Sequence, residues 1–302
     1  MCQIIFYYPD VPDLPLPDGH RFPAEKYRML RELAETEELL GKAQLTPSPP
    51  ATRAQLLYAH DAAYVDAVFS GKLDIKIQRR IGLPWSPTLL ARSRATVGGS
   101  LAAARLALKC GISGQLAGGT HHAHHDFGSG FCTFNDLAVT ALILRSEGRC
   151  QRIAILDLDV HQGDGNAAIL GGEANIFVVS VHGEKNFPFR KVPSDVDIGL
   201  PDATGDAEYL DVLNEALSAV AAFKPDLLLY LSGADALAAD RLGRLSLSLD
   251  GLRQRDMQVF RFALERGLPV SFALGGGYAD PISQTVEGYA GTLISARTVF
   301  GF

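Results

Sequence analysis

Four short, almost wholly apolar runs constrain this chain more than any other feature. They are residues 152–158 (RIAILDL), 175–181 (NIFVVSV), 226–231 (DLLLYL) and 269–274 (PVSFAL). Runs of this length without polar alternation read as strands covered on both faces. Between them lie stretches of helical length at 135–147, opened by Asn135, at 206–222, and at 251–266, stopped by Gly267 and Pro269. Strands alternating with helices in this way build a parallel sheet with crossover helices.

The first third is more helical. Pro23 and Glu25 open a helix over 23–40 that Gly41 closes, and Ser86 with Pro87 starts a long helix reaching about Lys109. A short strand at 3–7 joins the sheet, and another leads into Gly118 and Gly119. Proline and glycine concentrate in 9–23, 46–50 and 183–205, which read as surface loops. The expected architecture is α/β: a single domain over residues 1–302, built on an open, mostly parallel sheet with helices on both faces. The length of 302 residues suits one such unit.

Charge and cysteine usage remove several function classes. The 28 Lys and Arg residues against 34 Asp and Glu give −6, which argues against a broad electrostatic grip on nucleic acid or on an anionic membrane. No apolar run approaches the ~20 residues that span a bilayer, and the N-terminal MCQIIFYYPDVPDLP lacks the basic flank of a leader. Cys2, Cys110, Cys132 and Cys150 are far apart and form no CxxC pair, so they read as reduced thiols of a cytoplasmic protein.

In open α/β sheets chemistry collects beyond the carboxyl ends of the strands. Those positions are rich in metal-ligand types here. In LDLDVHQGDG (156–165) strand alternation sends Asp157, Asp159 and His161 to one side, and two carboxylates with an imidazole on one buried face need a cation or hydrogen-bond donors; a divalent metal is the economical answer, a carboxylate pair bonded to loop amides the alternative. Oxygen and nitrogen donors suit Zn²⁺, and Fe²⁺ or Mn²⁺ also fit. Asp235, in LSGADAL (231–237), is the best-placed third ligand, although an aspartate after a strand is by itself more often a turn residue.

GGTHHAHHDFGSGFCTFND (118–136) places His121 and His122 where a base and an acid are needed, with Asp157 and Asp164 available to hold their rings. His124 and His125 read as a surface tract. In LGGGYA (274–279) the glycines let the Tyr278 hydroxyl approach an acyl oxygen that becomes an oxyanion; alone, such a tyrosine is more often half-buried core.

The ordered motifs HHAHHDFGSGFCTFND, ILDLDVHQGDG, LSGADAL and LGGGYA resemble the successive active-site motifs of the histone deacetylase family, within the arginase-deacetylase superfamily. The resemblance runs from about His20 to Ile294. HRFPAEKYRML (20–30), Gln162 in place of a second histidine and DRLGRLSLSLDGLRQRD (240–256) make it most similar to the class IV branch and its bacterial relatives. It implies Asp159, His161 and Asp235 as zinc ligands, Asp157 supporting His121, Asp164 supporting His122, and Tyr278 polarising the acyl carbonyl. It further implies a substrate tunnel walled by Phe131 after Gly130 and by Phe187, with Gly276 beside it. A structural K⁺ bound by carbonyls of Asp157, Asp159 and His161 with Ser180 is also implied. Leu274 and the His124–His125 pair depart from the commoner family pattern and bear on tunnel shape.

The expected activity is metal-assisted hydrolysis of an acylated amine, an acyl-lysine or a small acylated amine such as a polyamine. A binuclear manganese ureohydrolase on the same fold and a non-catalytic acyl-amine binding protein are the rival readings. Gln162 speaks against the first, and the complete set of base, ligands and oxyanion donor against the second.

Overall fold

The computed structural model describes residues 2–36 and 39–302. Its elements are β1 (Ile5–Tyr8), α1 (Lys26–Thr36), β2 (Gln44–Pro47), α2 (Arg53–Leu56), α3 (Ala62–Ser70), α4 (Ile75–Ile81), α5 (Pro87–Cys110), β3 (Ile112–Gln115), α6 (Asp136–Ser146), β4 (Ile153–Asp157), α7 (Asp164–Leu170), β5 (Ile176–Gly183), β6 (Val196–Leu200), α8 (Asp206–Phe223), β7 (Leu227–Gly233), α9 (Leu249–Glu265), β8 (Val270–Gly275) and α10 (Ser283–Phe300). The strands form one sheet in the order β2-β1-β3-β8-β7-β4-β5-β6. Every pairing is parallel, so the expected "mostly parallel" sheet is parallel throughout the described residues.

The apolar runs behave as doubly covered strands because their side chains serve two cores in turn. In β4, Ile153 and Ile155 face one core while Ala154 and Leu156 face the other. In β7, Leu227, Leu229 and Leu231 join the first, and Leu228 and Tyr230 the second. The first core is closed by α5 and α6, the second by α8, α9 and α10. Ser86 caps α5 by accepting from the Leu89 N–H, Asn135 caps α6 from Ala138, and Ser248 caps α9 from Gly251.

Several sequence expectations change. The helix expected over 23–40 runs Lys26–Thr36, because residues 24 and 25 form a turn; positions 37 and 38 lie outside the described residues. The segment 183–205, read as a loop, contains the edge strand β6 (196–200), and the segment 46–50 begins inside the edge strand β2 (44–47). An edge strand is half solvated, and β6 alternates Val196 and Ile198 with the exposed Asp197 and Gly199, so neither has the apolar run that marks a central strand.

The reduced-thiol expectation fails for one pair. Cys2 and Cys110 form a disulfide with Cα atoms 5.4 Å apart, while Cys132 and Cys150 are free and buried. Parallel pairing of β1 with β3 sets the residues leading into both strands side by side, which a separation of 108 residues in sequence conceals. Among the described residues, no helix is long and apolar enough to cross a membrane.

Candidate active site

Four adjacent strands, β3, β8, β7 and β4, carry nearly all the chemistry at their carboxyl ends. β3 runs into Gly118–His122, β4 into Asp157–His161, β7 into Asp235 and β8 into Gly275–Tyr278. The chain leaves β4 at Asp157 and bends. The Asp159 N–H donates to Asp157 Oδ1 (3.2 Å) and the His161 N–H to Asp159 Oδ1 (2.9 Å), replacing ladder bonds with side-chain acceptors. Leu158 and Val160 remain buried on the opposite side, so the alternation expected of this segment survives the bend.

Asp159, His161 and Asp235 converge, each offering one ligand atom within 4.8 Å of the others. His161 Nδ1 lies 2.9 Å from Asp159 Oδ1 and 3.2 Å from Asp235 Oδ2. Asp235 Oδ1 also accepts the Val160 N–H at 3.0 Å, which leaves Oδ2 as its inward oxygen. Two buried carboxylates without a lysine or arginine partner among the described residues, and one imidazole facing both, make a donor set that a divalent cation fits. Burial alone would lower the His161 imidazole, but its hydrogen bonds to Asp159 and Asp235 lift it to about 10.

Beside this trio stand two imidazoles, each tied to a carboxylate through Nδ1: His121 to Asp157 Oδ2 at 2.7 Å and His122 to Asp164 Oδ1 at 2.6 Å. Their ring centroids are 4.1 Å apart. The two are driven apart electrostatically. Burial opposes protonation of both, yet the charges of Asp157 and Asp159 raise His121 to about 9, while burial and the adjacent His121 push His122 down to about 3.

Gly130 and Phe131 both adopt the left-handed region, at φ of 52° and 65°. The Phe131 N–H donates to the Ile81 carbonyl at 2.7 Å, and this hold sustains a conformation costly for a bulky residue. A Cβ on Gly130 would lie 2.6 Å from the His122 ring. Phe187 stands edge-on to His122 at 4.9 Å, and Phe131 packs against Tyr278 at 5.8 Å, so the two phenylalanines neighbour different halves of the site. At Gly276 (φ 62°) a Cβ would collide with the Asp235 carboxylate. Tyr278 is 8% exposed; burial, and then the charges of Asp159 and Asp235, raise its phenol well above its ordinary range.

Several residues within the quoted segments contribute in ways the motifs do not reveal. Lys26 is fully buried, donates to the carbonyls of Gly276 and Gly277, and lies 4.6 Å over the Tyr278 ring. Leu242 and Phe131 pack against the apolar cluster that contains Tyr278, and Asp240 accepts the backbone N–H groups of Leu242, Gly243 and Tyr278. Asp136, the first residue of α6, accepts from Gly119, Thr120 and Ser100 and fixes the approach to the histidines. Of the two histidines read as a surface tract, His125 is exposed and bonds the Ala59 carbonyl, whereas His124 is half-buried, its Nε2 3.0 Å from Asp164 Oδ2 and its ring stacked on Phe127. Each lies within a segment quoted above, but its role rests on contacts that only packing reveals.

The histone deacetylase domain model matches residues 20–292. An uncharacterized protein of Picosynechococcus sp. is 41% identical over 297 residues, covering 98% of this chain and 99% of that protein. Histone deacetylase 2 of Arabidopsis thaliana is 30% identical over 279 residues, covering 88% of this chain and 72% of that one. Acetoin utilization protein AcuC of Staphylococcus aureus is 29% identical over 286 residues, covering 86% and 73%. With a parallel sheet, a metal-type donor trio and paired imidazoles on one rim, and a domain match spanning most of its length, this chain belongs to the histone deacetylase family.

Proposed function

We propose that this chain is a single-domain, zinc-dependent amide hydrolase that removes an acyl group, acetyl or longer, from an acylated amine, in the first instance acyl-lysine. One observation carries the reading. Three metal-type donors and two carboxylate-held imidazoles converge on adjacent strand ends, beside a tyrosine loop held by Lys26. Family membership and the name of the Arabidopsis relative support deacetylase chemistry in general. HRFPAEKYRML and Gln162 favour the class IV branch within it.

Asp159 and Asp235 through carboxylate oxygens and His161 through Nδ1 would hold the cation; the set suits Zn²⁺, and Fe²⁺ also fits. Once held, a divalent cation supplies Lewis acidity to the acyl oxygen and acidifies a water. His122 Nδ1 is committed to Asp164, which leaves Nε2 to take the proton of the attacking water. The Tyr278 hydroxyl, kept protonated by burial, donates to the acyl oxygen as negative charge develops there. As the C–N bond breaks, a histidine of the pair returns a proton to the amine, and the products are a carboxylate and a free amine. Phe131 and Phe187 sheath the alkyl stem of the substrate, and Gly130 and Gly276 let the backbone lie close against His122 and Asp235.

A structural K⁺ on the carbonyls of Asp157, Asp159 and His161 with Ser180 belongs to the same reading. Asp157 and Ser180 are register partners, which supports the fit. A binuclear ureohydrolase is disfavoured, because the Gln162 amide donates to Val192 O (2.8 Å) and Asp197 (2.7 Å) and so serves the neighbouring loop.

A panel of amides varied in acyl length and amine carrier, assayed with and without a chelator, tests the proposal. Hydrolysis of acyl-lysine that the chelator stops and Zn²⁺ restores is the expected result. Cleavage of no panel member by the zinc-loaded protein, or cleavage indifferent to chelation, would refute it.

A further inference from the structure

Phe189 is 87% exposed, the highest value among the large apolar side chains of the described residues. A lone exposed apolar side chain on a slack loop is ordinary. This loop is pinned. Asn186 donates to the Leu242 carbonyl (2.8 Å) and accepts the Arg244 N–H (3.2 Å); the Lys191 ammonium donates to the carbonyls of Asn186 (2.5 Å) and Pro188 (2.8 Å). Gln162 closes the far end through both backbone groups of Val192, at 2.8 and 3.0 Å. The segment therefore holds Phe189 in water by construction, and apolar surface held in water gains from being covered.

Its position says what covers it. The rings run outward in series: His122 to Phe187 at 4.9 Å, then Phe187 to Phe189 at 6.2 Å, each pair edge-on. Phe189 is thus the outer continuation of the wall assigned to the acyl-lysine stem. The segment 184–191 also carries three basic residues, Lys185, Arg190 and Lys191, against the single acid Glu184, on a chain whose net charge is −6. Lys185 is partly engaged by Asp202 at 3.8 Å, and Arg190 is exposed. Such a rim repels a polycationic carrier and favours a neutral or acidic one.

We propose that Phe189, with Arg190 beside it, is a docking ledge for the polypeptide carrying the acylated lysine. The ring covers an apolar side chain adjacent to that lysine, and the guanidinium favours an acidic neighbour over a cationic one. This rests on the amide-hydrolase reading above and deepens it, by selecting an acylated polypeptide over an acylated polyamine.

The test compares wild type, Phe189→Ser and Arg190→Glu on three probes: a Leu–acetyl-Lys–Asp peptide, a Gly–acetyl-Lys–Gly peptide, and N-acetylspermidine. Wild type should prefer the Leu–Asp peptide to the polyamine by at least about tenfold in kcat/KM. Phe189→Ser should cut the preference for the Leu–Asp over the Gly–Gly peptide roughly five- to tenfold, mostly through KM, as expected for losing partial cover of one apolar side chain. Arg190→Glu should narrow the gap between peptide and polyamine. Fluorescence polarisation with the same peptides, labelled and uncleaved, reads binding whether or not product forms, so failure of the hydrolase reading is separable. Equal binding of the Leu–Asp peptide by wild type and Phe189→Ser overturns the ledge. So does a wild-type preference for N-acetylspermidine, or conversion of a wild-type dimer to monomer by Phe189→Ser, which would make a second copy the occupant.

Discussion

Asp240 accepts the backbone N–H of Tyr278 through Oδ2 at 2.5 Å, while its Oδ1 accepts those of Leu242 and Gly243 at 2.8 Å each. One buried carboxylate thereby ties the backbone of the tyrosine to the turn at 242–243. Asp240→Asn would turn one oxygen into an N–H₂ group facing a donor. Leaving buried donors unmet costs about 1–3 kcal/mol. We expect that loss in urea unfolding, together with a fall in kcat of roughly tenfold or more as the tyrosine drifts from position. A variant with parental kcat would deny Asp240 this role.

Tyr278→Phe separates the hydroxyl from the ring. Packing of the ring against Phe131 is retained, so the melting temperature should barely move. Loss of a single oxyanion donor costs about 10²- to 10³-fold in kcat. Steady-state kinetics on an acetyl-lysine peptide read this, and a drop below threefold would remove the hydroxyl from the proposed chemistry.

A buried imidazole outside the site contributes to acid stability. His60 is buried, donates from Nδ1 to the His124 carbonyl at 2.9 Å and accepts the Asn135 N–H at Nε2 at 2.9 Å, which fixes it as a neutral tautomer. Burial lowers it from 6.5 to about 4. The unfolded chain therefore takes up a proton that the native state refuses. Stability from this group is complete above pH 6.5 and falls as pH drops toward 4, by roughly 2 kcal/mol at pH 5. Urea titrations of wild type and His60→Gln at pH 7 and pH 5 isolate the effect, because the variant's curve should lose that part of the pH dependence. Parallel curves for the two proteins would contradict it.

Behind Asp235, Arg255 and Asp256 form a fully buried pair at 2.9 Å. Arg255 also donates to the Gly233 carbonyl (2.6 Å) and Ser232 Oγ (2.7 Å), and Asp256 accepts from Tyr230 and Thr292. The network stiffens the strand end that carries Asp235. Removing one partner strands the other charge in the interior, and Arg255→Met should cost about 3–5 kcal/mol in chemical denaturation. A loss below 1 kcal/mol would show that the pair is dispensable.

How much of this was legible in sequence depends on where each residue's partner lies. The strands at 152–158 and 226–231 announce themselves because both faces are apolar, and the ends of those strands carry the metal-type donors the motifs suggest. Local spacing sufficed for Asp159 and His161. β6 stayed hidden because one of its faces meets solvent. Contacts across long separations left no local trace: Cys2 with Cys110, Lys26 under the Gly276 loop, His60 beneath Asn135, and His124 on the far oxygen of Asp164. Each is a product of which strands neighbour which, and that order emerges only when the sheet closes.

Zinc titrated calorimetrically into metal-stripped wild type and into Asp235→Asn decides whether Asp159, His161 and Asp235 act together as one catalytic metal site. Wild type should bind one ion per chain. The variant, with its fold verified by circular dichroism, should bind more weakly by over 100-fold, beyond the roughly 10–100-fold that loss of a supporting partner costs. Undiminished binding by the variant, or two ions per wild-type chain, would overturn the assignment.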